Sequence, residues 1–116
     1  MSEIGRIEEA LQKVEERYSS EEKIRKKLAS YNDPIELTFL DTSNKALILV
    51  NGDQGIDTKF KEGDDSAPVK IEFESEQTML DLLNKKIGAV GAYSSGKIKV
   101  VEGKIRNLLK LRKLLF

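Results

Sequence analysis

The sequence predicts an α+β fold: a five-stranded, mainly antiparallel sheet with helices on one face. Three observations carry that expectation. Apolar residues recur at helical spacing as far as Tyr31, switch to short strand-like segments of alternating or continuous apolar residues between Ile35 and Phe73, and return to helical spacing around Met79 and again after Gly103. Turn residues separate the segments. The order is neither a repeated strand–helix–strand unit nor an all-strand pattern, which leaves one helical layer on a sheet. The expected order is α-α-β-β-β-crossover-β-α-β-α, in a single domain spanning residues 1–116.

Ile4, Ile7, Leu11, Val14 and Tyr18 form one face of an amphipathic helix over about Ser2 to Arg17, with Glu8, Glu9, Lys13, Glu15 and Glu16 on the other. Gly5 weakens its first turn. Ser19, with Glu22 three residues later, reads as a capping box that starts a second helix carrying Ile24, Leu28 and Tyr31. Asn32-Asp33-Pro34 stops it, because the residue before proline avoids the helical region.

Ile35, Leu37 and Phe39 alternate with Glu36 and Thr38. Asp41 to Asn44 is a turn, Ala46 to Val50 a buried strand, and Asn51-Gly52 a hairpin signal leading to Ile56, Thr58 and Phe60. Glu62 to Pro68 is a polar connection. Val69, Ile71 and Phe73 alternate with Lys70, Glu72 and Glu74, giving the sheet one apolar and one charged face. Ser75 caps a helix carrying Met79, Leu80, Leu82, Leu83 and Ile87. Gly88 to Ser95 is a loop or a short, closely packed helix. Lys97 to Val101 is the last strand, ended by Gly103, and Lys104 to Phe116 a final helix.

That final helix is the informative one. Ile105, Leu108, Leu109, Leu111, Leu114, Leu115 and Phe116 cover an arc of roughly 220°, where a helix on a single core needs roughly 100° or somewhat more. Burial between two neighbours accounts for the surplus as well as a ligand, a membrane or a partner subunit does. Arg106, Lys110 and Lys113 lie opposite the arc. They suit docking on an anionic membrane, and equally the negative end of a helix dipole.

Composition removes several functions. The chain has no histidine and no cysteine, so the usual general base, thiol nucleophile and commonest metal ligands are missing. Twenty basic and twenty acidic residues cancel, so nothing draws nucleic acid globally. No apolar run reaches the length of a membrane span, and the acidic, amphipathic N-terminus is unlike a secretory signal. A cytoplasmic protein without metal or cofactor is expected. Asp64-Asp65 reads as a solvated loop pair, and Asn51 to Gly55 lacks the ligand spacing of a calcium loop.

Ala92-Tyr93-Ser94-Ser95-Gly96-Lys97-Ile98-Lys99-Val100, then Gly103, then Lys110-Leu111-Arg112-Lys113-Leu114-Leu115, resembles the C-terminal part of the sterol carrier protein family. The resemblance is at motif level from Ala92 onward and in element order before that. Gly96 and Gly103 stand one residue further apart than the family pattern has them, which predicts a bulge or shifted turn. Gly88-Ala89-Val90-Gly91 stands where the family has a proline. The resemblance implies a tunnel between sheet and helices that holds fatty acyl chains, sterols or other lipids, bordered by the last helix, and no catalysis.

A lipid tunnel needs apolar walls, since each buried methylene contributes about 0.8 kcal/mol. Candidate walls are Phe39, Ile48, Val50, Phe60, Ile71, Met79, Leu83, Ile98, Val100, Leu108, Leu109 and Leu111, each of which ordinary core packing also explains. Tyr93 is a candidate headgroup contact at the mouth, or simply a ring packed with its hydroxyl in water. The alternative is an accessory or dimerisation module whose apolar C-terminal helix docks on a protein partner. A homodimer and a transient anionic membrane contact are the partners the sequence adds to a lipid or fatty acyl ligand.

Overall fold

A computed structural model describes residues 4–52 and 54–103. The elements run α1 (Ile7–Ser20), α2 (Glu22–Lys27), β1 (Pro34–Phe39), β2 (Lys45–Asn51), β3 (Gly55–Phe60), β4 (Val69–Phe73), α3 (Glu76–Leu83), α4 (Ala89–Ser94) and β5 (Ile98–Glu102). The sequence expectation of a final helix falls on residues 104–116, outside the described residues.

The five strands lie in the order β3-β2-β1-β4-β5. β1 pairs antiparallel with β2, β2 with β3 and β4 with β5, while β1 and β4 run parallel. The sheet is therefore mixed, with one parallel pairing at its centre. That pairing follows from the connectivity. β3 ends at one edge and β4 joins beyond β1, so the intervening chain must cross a face of the sheet.

The crossing uses the face away from the helices. The Lys61 amide donates to the Lys45 carbonyl (2.7 Å), and Gly63 sits so close that a Cβ there would lie 2.8 Å from the Lys45 side chain. Beneath the crossing is Glu36, only 3 % exposed. The alternating pattern put Glu36 on a solvated charged face, and the structure corrects that. Its carboxylate accepts from the Asp64 amide at 2.7 Å and lies 3.7 Å from the Lys45 ammonium. A buried carboxylate is tolerable there because it is hydrogen-bonded and paired.

Other boundaries move for local reasons. α1 starts at Ile7 rather than in the first residues, beyond Gly5, and continues through Ser20. Ser19 is thus inside α1 and caps nothing. α2 begins after Glu21, whose side chain makes no cap bond. The end of α1 is instead satisfied by Arg25, whose guanidinium donates to the Tyr18 carbonyl at 2.9 Å. α2 stops at Lys27, leaving Leu28 and Tyr31 buried just beyond it. Ser75 does cap α3, its hydroxyl accepting from the Thr78 amide at 3.1 Å. Between Gly88 and Ser95 the chain forms the short helix, Ala89–Ser94, rather than the loop.

Two turns are tied to helices. Glu76 at the start of α3 accepts from the Asn44 side chain at 2.9 Å, and its amide donates to Asp41 at 3.2 Å. Gly52, at φ +57°, donates to the Tyr31 carbonyl (2.8 Å) and accepts from the Tyr18 hydroxyl (2.7 Å). A Cβ there would lie 2.6 Å from the Ala29 carbonyl oxygen. Both the left-handed backbone and the close approach therefore require glycine.

Gly96 and Gly103 stand one residue further apart than in the family pattern that the sequence resembles, which predicts an irregularity, and one is present. Ile71 faces Val100 but Lys70 faces Glu102, so Val101 is the extra residue of a bulge in β5.

Candidate functional site

The inner face of the sheet is built in rows. Phe39, Phe73 and Ile98 lie side by side across β1, β4 and β5, and Leu37, Ile71 and Val100 form the next row. Ile35 pairs with Ile48 across β1 and β2, and Ile48 with Thr58 on β3. The Phe39 and Phe73 rings stand 5.5 Å apart at 34°. α1 lays Ile7, Ala10, Leu11, Val14 and Tyr18 onto this face, and α3 adds Met79, Leu80, Leu82 and Leu83. All of these except Val100 and Thr58 belong to one continuous apolar cluster. Helical spacing and strand alternation produce it together, each directing one side of its element to the same layer.

Of the residues expected to line a lipid site, Phe39, Ile48, Val50, Ile71, Met79, Leu83 and Ile98 are buried in this cluster. Phe60 packs against its margin, and Val100 is half-buried. Tyr93 stands apart on α4, 40 % exposed. Leu108, Leu109 and Leu111 lie outside the described residues. Phe73 was not among the expected walls although it occupies the same row as Phe39. Its alternation with Glu72 and Glu74 was the signal that could have placed it.

Two polar groups in this layer were missed altogether. The Tyr31 hydroxyl is buried and makes no hydrogen bond among the described residues, and neither does the buried Nη1 of Arg17. Both are donors. Burial pushes the Tyr31 phenol up to about 12, with the Asp33 charge adding to the shift. It also lowers the Arg17 value, against the opposing pull of Glu21. An unpaired buried donor is costly and uncommon, so each is a point where an acceptor would be stabilised. Sequence pattern could not show this, because Tyr31 reads as the last apolar residue of a helix.

Beside α4 an open recess of about 260 Å³ is lined by Ile87, Gly88, Gly91, Ala92, Ser95 and Lys97. Ala92 belongs to the core and Ile87 packs on it, so the recess adjoins the apolar layer from outside. Among the described residues no cluster of three or more acidic side chains could hold a metal, and no helix is long and apolar enough to cross a membrane.

Solved structures with this arrangement are numerous. A crystal structure of sterol carrier protein 2 superposes with a TM-score of 0.68 over 91 % of this chain and 87 % of its own, at 16 % identity. This is the sterol carrier protein fold. The solution structure of palmitated SCP2L2 from Aedes aegypti gives a TM-score of 0.71 over 96 % of this chain and 95 % of its own, at 15 % identity. The sec-alkylsulfatase Pisa1 from Pseudomonas sp. also matches, with a TM-score of 0.64 and 15 % identity over 78 % of this chain; the chain spans only 14 % of that enzyme's length. No family model matches the chain, and no curated protein matches it.

Proposed function

We propose that this chain is a non-catalytic lipid carrier, a single sterol-carrier-like domain acting in the cytoplasm. It would hold a fatty acyl, isoprenoid or sterol-like molecule in an apolar tunnel between sheet and helices. The observation that supports this most is the continuous apolar cluster that includes Tyr31, with the Tyr31 hydroxyl and the Arg17 Nη1 buried and without acceptors among the described residues. An apolar core that served packing alone would gain nothing from them. A guest with an apolar body and an acceptor at one end would bury the body and satisfy a donor. The walls would be Phe39, Ile48, Val50, Phe60, Ile71, Met79, Leu83, Ile98 and Val100, with Leu108, Leu109 and Leu111 contributed by the last segment. Tyr93 would meet the guest's polar end at the mouth. The fold's occurrence in a protein solved with palmitate points the same way. Pick-up and delivery would involve transient contact with an anionic membrane.

The test is native mass spectrometry of the purified protein beside the denatured spectrum. The expected result is extra mass that leaves on unfolding or, for protein that arrives empty, saturable binding of a fluorescent fatty acid at micromolar concentration. A doubled mass without lipid would favour the dimerisation module instead. Absence of both lipid and saturable binding rejects the carrier.

A further inference from the structure

We propose that Asn51 is a covalent modification site whose deamidation to isoaspartate is held back by the fold and released when one corner of it opens. Asn51-Gly52 is the chain's one Asn-Gly pair. In such a pair the glycine amide nitrogen attacks the asparagine Cγ, and no Cβ on the glycine hinders the approach. An N–Cγ bond forms, the Cγ–Nδ2 bond breaks, and the side-chain nitrogen leaves as ammonia carrying the amide proton. Water then opens the resulting cyclic imide at either carbonyl, leaving aspartate or isoaspartate. The net exchange is one water for one ammonia. It adds one negative charge and, in isoaspartate, one carbon to the main chain.

The fold supplies one requirement of this reaction and withholds the other. Asn51 is exposed at the end of β2, where water reaches its side chain. Gly52, directly after it, is buried and gripped from three sides. Its amide donates to the Tyr31 carbonyl (2.8 Å), its carbonyl accepts from the Tyr18 hydroxyl (2.7 Å), and the Ala29 carbonyl oxygen closes the space beside its Cα. Attack needs that amide to give up its proton and swing its nitrogen toward Cγ. The hydrogen bond to Tyr31 opposes both. The reaction therefore waits until α1 and the α2–β1 connection part from the β2–β3 turn. The native rate is then the open-chain rate scaled by the fraction of time spent open.

The product has no way back. An extra main-chain carbon between the Asn51 Cα and the Gly52 nitrogen displaces a residue that has no spare room beside Ala29. The bonds to Tyr31 and Tyr18 then cannot both re-form, and both rings belong to the apolar cluster. Conversion therefore records that this corner has opened and leaves it loosened. Asn44 and Asn84 lack the combination. Their side chains are held, by Glu76 at 2.9 Å and by the Ile4 backbone at 2.9 and 3.0 Å, and each precedes a lysine.

The inference stands apart from the carrier reading. Full-length protein is kept warm at neutral pH, both folded and in guanidinium chloride. Isoaspartate is followed by isoaspartyl methyltransferase labelling and peptide mass spectrometry. Label at residue 51 should accumulate at least about tenfold faster in the unfolded chain. Tyr18→Phe removes one of the bonds on Gly52 and should raise the native rate about fivefold while leaving the unfolded rate unchanged. Circular dichroism checks that this variant folds. If it does not, the unaltered protein in graded, sub-denaturing guanidinium gives the same answer: its deamidation rate should rise in step with exchange of the Gly52 amide. Modified protein, separated by charge, should exchange faster at Gly52 than its unmodified counterpart. Four results overturn the inference: no isoaspartate at residue 51 in the unfolded chain, equal rates in folded and unfolded protein, a native rate that stays fixed while Gly52 exchange quickens, or a modified form that exchanges like the unmodified one.

Discussion

The two faces of the sheet are closed by different physics. The inner face is closed by apolar side chains from α1 and α3, packed on rows such as Phe39, Phe73 and Ile98. The outer face is closed in part by the segment between β3 and β4, a stretch of polar chain held by hydrogen bonds around one buried carboxylate, Glu36. Hydrophobic burial is non-directional and shared among many contacts. The outer closure depends on a few directional bonds, so it should open locally while the inner layer remains folded.

The sharpest way to break this contrast is to remove a ring from the inner face. Phe73→Ala should cost about 3–5 kcal/mol, read as a lower denaturant midpoint for the whole chain in one transition. A loss under about 1 kcal/mol would mean that the inner layer is not the cooperative core.

Glu36→Ala tests the other face. It leaves the Asp64 amide without its acceptor and should cost about 1–3 kcal/mol. Hydrogen exchange should quicken in residues 61–68 before it does so in β1 or β2. Equal acceleration everywhere would show that the crossing is part of the same cooperative unit.

Tyr31→Phe should act in the opposite direction. Removing a buried hydroxyl that has no partner among the described residues should stabilise the empty protein by about 1 kcal/mol at neutral pH. The sign of its pH effect follows from the raised value. The unfolded phenol ionises near 10.0 and the folded one at about 12, so stability is full below pH 10 and falls as pH rises toward 12. The phenylalanine variant should lack that alkaline loss. If the hydroxyl anchors a guest, the same substitution weakens fatty acid binding, a combination that a simple packing role would not give.

The smallest effect is expected at Asp64. Its carboxylate accepts from the Ser66 hydroxyl (2.6 Å) and amide (3.0 Å), which holds its ionisation below the ordinary 3.8. That contribution is present above 3.8 and is lost as pH falls through the depressed folded value. Asp64→Asn should quicken exchange at Ser66 with no measurable change in the melting temperature.

Much of the fold was legible because local patterns and tertiary layers agreed. The alternation at Ile35, Leu37 and Phe39 and at Val69, Ile71 and Phe73 named the buried face directly. The Ser75 cap was readable from residue type, and the β5 irregularity from the way the Gly96–Gly103 spacing departs from the family pattern that the sequence resembles. Less of the candidate site could be read. Phe73 was within reach of the pattern, whereas Tyr31 and Arg17 depend on which groups happen to lie beside them once the chain is folded.

Sequence alone determined which side of β1 and of β4 is apolar and where α3 begins, because periodicity and capping act over a few neighbouring residues. Tertiary structure alone decided that Glu36 is buried, that Ser19 lies inside α1 with Arg25 binding the carbonyl of Tyr18 near its end, and that two donors are left without acceptors among the described residues. Each of these depends on groups brought together by the crossing of the chain or the packing of helices, and no local pattern encodes the partner that a distant residue will or will not supply.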